Sequence, residues 1–294
     1  MAQASQLLPG ILRWDLGDLT VTVMNDGWFE ATIDLATGIP RDEAVRLQAE
    51  GFRPEKPRVT LNCFLITGPG RTPTLIDFGY GALAPVDTLG RAPAALAAAG
   101  VEPDEIGTVL VSHLHPDHVG GLITGDGAAR FPNAELVVHG AEVEHWLADE
   151  ALADAPDAAK PYFENARKAF APYAGRMRRH EGGEVAPGIT AVPLPGHTPG
   201  HTGFRIASGG QTLLMWTDVV HLPAIQFADP KAGVAFDVDG EQARTTREHV
   251  LDEVARERTL IAGSHLEFPA LGFVAREETG YRFVPALWVS AERG

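Results

Sequence analysis

Val111–Gly121 reads VSHLHPDHVGG and crowds three histidines and an aspartate into the six residues from His113 to His118. It follows the β-branched run EIGTVLV and ends in a glycine pair. His113, His115 and Asp117 are spaced by two, so a regular strand would turn all three to one face. Pro116 forbids simple strand continuation, which predicts a loop at a strand end with His118 pointing in a second direction. Such a loop can wrap one cation from His113 and His115 and a neighbouring one from Asp117 and His118. A chain that carries it must fold so that other segments bring in the missing ligands.

Three later segments have the same form, an apolar run closing on a potential ligand. AVPLPGHTPGH reaches His197, TLLMWTD ends at Asp218, and TLIAGSH ends at His265. The C-terminal ends of strands are where α/β sheets place their ligand sites, and Gly196, Gly200 and Gly263 allow tight turns beside them. The set is five imidazoles and two carboxylates with no sulfur. That chemistry suits two divalent ions, zinc first, with iron, manganese or cobalt also compatible. Cys63, the single cysteine, lies in the apolar run VTLNCFLI and reads as a small buried hydrophobe.

The first half reads as strands and turns. LTVTVMNDG is expected to end at Asn25-Asp26-Gly27, and GPGR to turn between VTLNCFLIT and PTLIDFG. TLGRAPAALAAAG is expected to be a helix closing on Gly100. From residue 141 to 173 the pattern becomes helical. Strand signals then resume, interrupted by the helix DGEQARTTREHVLDEVARE. The order suggests two similar halves in one α/β domain over residues 1–294, with a central helical insertion at 141–173 and a C-terminal extension at 271–294 packed on the domain.

With 39 acidic against 24 basic side chains, the formal net charge is −15. This argues against nucleic acid and anionic membranes as partners. The start MAQASQLLPGIL lacks the basic and apolar regions of a signal peptide, and no apolar run approaches the roughly 20 residues of a membrane span. A cytoplasmic location is the expectation, and a homodimer is compatible with it.

HLHPDH matches the HxHxDH signature of the metallo-β-lactamase superfamily, and over roughly Leu16 to Val289 the chain resembles that family. The resemblance implies an αββα sandwich of two related halves. It also implies that His113, His115 and His197 hold one metal, that Asp117, His118 and His265 hold the second, and that Asp218 bridges. Asp77, in TLIDFG, resembles the family's strand-end aspartate that supports the metal loop. His201, in the same GHTPGH motif as His197, is read as a hydrogen-bond partner that orients the site. His221 is placed at the pocket, while His139, His145, His180 and His249 read as core or solvated histidines.

A water between two divalent cations can fall from a pKa of about 15.7 to about 7, a change of roughly 12 kcal/mol at ~1.36 kcal/mol per unit. The expected chemistry is attack by a metal-bridging hydroxide on a neutral ester, lactone or triester, with Asp117 or Asp218 moving a proton to the leaving group. TLGR, FPNAE, QFADP and SHLEFP with GYRFVP are similar to the methyl parathion hydrolase-like group, which includes organophosphate triesterases and N-acyl homoserine lactonases. The resemblance puts Trp146 and Phe163 on the pocket wall. The chain departs from the parathion enzyme around Ala84 and Pro85, which lack an aromatic residue. It also has His221 where a leucine would shape a leaving-group pocket. Both departures favour a lactone or ester over an aryl triester. A glyoxalase II-like thioesterase would want a basic cluster near the C-terminus, which is missing. A nuclease is opposed by the charge, and a flavodiiron oxidoreductase would need a further domain.

Overall fold

The computed structural model describes residues 10–287, so MAQASQLLP at the start and residues 288–294, with the Val289 limit of the resemblance, lie outside the described residues. Two seven-stranded sheets stack face to face. The first runs Ile11–Leu16, Leu19–Glu30, Arg58–Thr67, Thr74–Ile76, Thr108–Val111, Glu135–His139 and Met177–His180 in spatial order. The second, from one edge to the other, runs Tyr281–Pro285, Leu271–Arg276, Leu260–Gly263, Gln211–Thr217, Thr202–Ser208, Ile189–Pro193 and Gly183–Ala186. In each half antiparallel strands give way to a parallel pair joined by a helix: Ala92–Ala99 before Thr108–Val111, and Gly240–Glu257 before Leu260–Gly263.

Period-two alternation sorts the buried residues. In the first sheet Val23, Phe64, Leu110 and Val137 face the second sheet, meeting Phe204, Ile206 and Trp216. Their neighbours Met24, Cys63, Val109, Val111, Leu136 and Val138 pack under the outer helices with Leu96, Ala166 and Phe170. On the far side Val250, Leu251 and Val254 of the long helix cover the second sheet. The layers are therefore helix, sheet, sheet, helix. Cys63 is buried, with its thiol facing the Met24 carbonyl.

Several local expectations are corrected. The strand from Leu19 does not stop at Asn25-Asp26-Gly27 but bulges there and runs on to Glu30. Gly27, at φ 124°, lies so close to the Thr88 carbonyl that a Cβ could not be accommodated, and the bulge turns Asp26 inward. Thr88–Arg91 is loop, because Gly90 is left-handed and the helix begins only at Ala92. The first half also holds a helix that reading it as strands and turns overlooked, Arg41–Glu50, entered from Pro40. Residues 271–285 form two hydrogen-bonded strands at one edge of the second sheet. The central segment is helical at Gly140–Leu147, Asp149–Asp154 and Lys160–Phe170.

A third apolar cluster, including Ile33, Leu35, Leu47, Leu222, Ile225 and Val234, ties the Arg41–Glu50 excursion to residues 222–236. The short pairing of Gly233–Val234 with Ala36–Thr37 seals it. Phe29, Tyr80 and Phe236 pack on this cluster at the rim of the site.

Candidate metal centre

All seven donors meet at one edge of the two sheets. The strand before the histidine loop ends at Val111, so His113 stands two residues beyond it. Pro116 opens a one-turn helix, Pro116–Val119, where a loop was expected, because its missing N–H is no loss at a first helical position. Asp117 and His118 ride on that turn. It packs against the strand-end loop so closely that a Cβ on Gly121 would overlap the Phe78 carbonyl. His197 lies four residues past Pro193 and His265 two past Gly263, while Asp218 directly follows Thr217.

Asp218 is the centre of the constellation. Its Oδ2 lies 2.8 Å from His265 Nε2, 3.1 Å from His221 Nε2 and 3.2 Å from His118 Nε2. His197 Nε2 follows at 3.4 Å and His113 Nε2 at 3.6 Å. His115 Nδ1 faces His197 Nε2 at 3.0 Å. Asp117 Oδ2 is 3.6 Å from both His118 Nε2 and His265 Nε2. His113, His115 and His197 form one compact group, and Asp117, His118, Asp218 and His265 another, each with donor atoms within 4.8 Å of one another.

These residues fit the pair of ions that the donor set implies. His113 Nε2, His118 Nε2 and Asp218 Oδ1 are buried without a hydrogen-bond partner, which costs free energy unless something else takes their lone pairs. Burial holds His113, His115 and His197 well below the ordinary imidazole pKa, leaving neutral rings. Burial also opposes charge on Asp218, but His118 and then His265 outweigh it and keep the carboxylate ionised. At His118 burial is likewise overcome, first by Asp218 and then by Asp117 and Asp77, so protons sit where a cation's charge would go. Metal binding at such a place releases protons.

The supports are as specific as the donors. Asp77 accepts from Ser112 N–H at 2.9 Å and Ser112 Oγ at 2.7 Å, and pairs with His118 Nδ1 at 2.7 Å. It holds a left-handed φ of 55°, a strain of about 1–3 kcal/mol that persists only where neighbours over-determine it. Thr217, at φ 48°, is the matching outlier beside Asp218. His201 supports it there: Nδ1 donates to the Leu194 carbonyl at 2.8 Å, and Nε2 meets Thr217 Oγ1 at 2.7 Å. His201 thus acts on the backbone that presents Asp218. His265 Nδ1 donates to the Thr60 carbonyl at 2.9 Å.

Several participants carried no sequence signal. Asp237 accepts from His197 Nδ1 at 2.8 Å, yet AFDVDG offers no motif. Glu142 lies in AEVEHWL, which carries no motif either. Ser112 stood inside the quoted loop without a role. The pocket wall is a correction: Trp146 and Phe163 are buried in the core beneath the histidine loop and do not line the cleft. Trp146 packs edge-on against His115, and its indole donates to Glu142. The aromatic helix turns Tyr162, one residue away, toward the cleft instead. There it joins Tyr80, Phe29 and Phe236 around a narrow, partly open cleft of about 30 Å³. His221 does line this cleft, stacked on His265 at 4.7 Å. With His197 and Asp218 it makes a third group able to hold an ion.

Residues 57–265, more than half of the chain, match the metallo-beta-lactamase superfamily. The chain belongs to that family. Among its relatives, the N-acyl homoserine lactonase AiiA of Bacillus thuringiensis subsp. kurstaki is 27% identical over 166 residues, 56% of this chain and 58% of that protein. The aligned part thus spans a little over half the length of that relative. The Bacillus cereus N-acyl homoserine lactonase is 26% identical over the same span. Of solved structures, hydrolase AbOPH superposes with a TM-score of 0.91 at 28% identity, covering 97% of this chain and all of that one. The dizinc quorum-quenching lactonase AidC gives 0.90 at 24% identity, covering 96% and 99%, and shows the shared fold. No helix among the described residues is long and apolar enough to cross a membrane.

Proposed function

We propose that this chain is a two-metal hydrolase that opens neutral lactones or esters, with N-acyl homoserine lactones as the favoured class. The observation that carries the reading is the convergence of seven donors at one place, Asp218 with six others around it, three of the seven having partnerless buried atoms. The match to lactonases supports the choice of substrate class.

His113, His115 and His197 would hold one ion and Asp117, His118 and His265 the other, with Asp218 between them. Zinc fits the imidazole and carboxylate set. Divalent ions held there would supply Lewis acidity, lowering the pKa of water toward about 7 and polarising a carbonyl oxygen. The chain's own groups do the rest. Asp117, the most solvent-facing of the donors at 14% exposure, is placed to carry a proton between the site and the departing alkoxide. Burial raises the Tyr80 and Tyr162 hydroxyls above the ordinary phenol range, so both stay protonated as donors toward a developing oxyanion. The cleft is narrow at the donors, so an acyl chain would lie along Phe29 and Phe236, which line it.

Elemental analysis with a panel of acyl lactones, aryl esters, phosphotriesters and lactoylglutathione tests the reading. Two ions per chain and the highest kcat/KM on lactones are expected. A single ion at full activity would sink the two-metal centre, and a preference for phosphotriesters would reassign the substrate.

A further inference from the structure

Glu142 is fully buried, in the first turn of the helix Gly140–Leu147. A carboxylate placed there is costly unless its oxygens are filled, and they are. Oε2 accepts from Leu114 N–H at 3.0 Å and from the Trp146 indole at 2.9 Å. Oε1 accepts from Gly200 N–H at 2.7 Å. Leu114 lies between His113 and His115, and Gly200 lies in the loop that carries His197. One carboxylate therefore joins the two loops, from opposite halves of the sandwich, that supply the three-histidine group. Of the other supports described above, Asp77 serves the first loop and Asp237 serves His197, while the Thr60 carbonyl crosses the halves only to His265, in the other donor group. The second loop sits directly on the helix start, since a Cβ on Gly200 would come within 2.9 Å of both the Glu142 backbone nitrogen and His139 Nδ1.

We infer that Glu142 is a positioning residue that fixes the distance between the His113–His115 loop and the His197 loop, and so holds one of the two ions selectively. The inference rests on the two-metal reading above. Glu142→Gln leaves one carbonyl oxygen for two loops and turns an amide N–H₂ toward a backbone N–H. The group of Asp117, His118, Asp218 and His265 keeps its own supports, Asp77 and the Thr60 carbonyl.

The experiment loads wild type, Glu142→Gln and Gly200→Ala with zinc, then follows metal loss to a chelator and the thermal midpoint of the metal-free chains. Gly200→Ala pushes the loop off the helix and off the Glu142 side chain while keeping the carboxylate itself, and carries the test if Glu142→Gln does not fold. Both variants should release one ion about 10–100-fold faster than wild type while retaining the second, with metal-free midpoints near wild type. In cobalt-loaded protein, the shifted ring N–H signals of His113, His115 and His197 should fade before those of His118 and His265. Retention of both ions at the wild-type rate would overturn the inference. So would joint loss of both ions in step with a lowered metal-free midpoint, which marks a purely structural residue. Wild type that holds no zinc would instead overturn the two-metal centre itself.

Discussion

The first half of the sandwich delivers four donors from a single six-residue loop, whereas the second delivers three from three separate strand ends. Each half also buries a carboxylate at a break in a strand register, Asp26 at the Asn25/Gly27 bulge and Asp218 beyond the Met215/Thr217 shift. Asp218 is met by five imidazoles and is held ionised. Asp26 is met only by the backbone N–H groups of Tyr80, Gly90 and Ala92, and burial pushes its pKa up to about 6. Similar burial thus has opposite consequences. Positive partners decide whether a buried acid serves as a charge or as a clip.

The largest effect should come from removing the charged member. Asp218→Ala takes away the group central to both clusters and leaves buried imidazoles facing each other. Its kcat/KM should fall by more than about 10³-fold, with most metal lost. His201→Ala, which loosens the Thr217–Asp218 backbone and frees the Leu194 carbonyl, should cost about 10–100-fold. Steady-state kinetics with metal analysis on both variants checks this. Equal losses, with folding intact, would place His201 among the ligands.

Asp26 gives the contrasting prediction. Its folded pKa, about 6, lies above the unfolded value of 3.8, so folding favours the protonated acid. The stability this group contributes is fully present below about pH 3.8 and is lost as pH rises through about 6, by as much as ~3 kcal/mol at ~1.36 kcal/mol per unit. Asp26→Asn has no such titration. The difference in unfolding free energy between wild type and variant should therefore change across pH 4–6 and be flat above about 7. Urea titrations of chelator-treated protein at stepped pH would show it. A pH-independent difference would mean that Asp26 does not titrate in this range.

The same contrast explains what could be read from the sequence. HLHPDH is legible because four ligands on one loop must be contiguous, and His197, Asp218 and His265 are legible because each closes an apolar run. Asp77 was legible through its resemblance to the family's strand-end aspartate after the strand TLI. Asp26, Asp237 and Glu142 were not legible, since each works through backbone amides or one ring nitrogen brought close by tertiary packing. Asp26 even read as a turn residue. The Asn-Asp-Gly spelling is the same for a hairpin and a bulge, and only the approach of the Thr88 carbonyl to Gly27 separates them.

Asp77 and Asp237 extend the comparison to the supports of the two halves. Asp77 holds His118 and the loop start, while Asp237 holds His197 through Oδ1 and accepts from the Val234 N–H of its own loop through Oδ2. Asp77→Asn should weaken retention of the ion on Asp117, His118 and His265, and Asp237→Asn that of the ion on His113, His115 and His197. Each should lower metal affinity about 10–100-fold, with the Asp77 effect the greater. Competition against a calibrated chelator measures both. An Asp237 effect larger than that of Asp77 would show that the dispersed half, with fewer contacts per ligand, depends more on each of them.

The smallest effect concerns the two aromatic regions beside the site. Trp146 and Phe163 lie in the core under the first half, whereas Phe29 and Phe236 stand at the rim. An acyl chain that removes about 40 Å² of apolar surface from water against Phe236 gains roughly 1 kcal/mol at ~25 cal/mol per Å², or about fivefold in kcat/KM. Phe236→Ala should therefore flatten the preference for longer acyl lactones by about that factor. Phe163→Leu, a nearly volume-conserving change in a packed core, should lower the thermal midpoint and leave the chain-length preference as it was. The decisive quantity is the ratio of kcat/KM between a long-chain and a short-chain lactone, taken for wild type and both variants. A shift with Phe163→Leu and none with Phe236→Ala would return the acyl wall to the helical insertion.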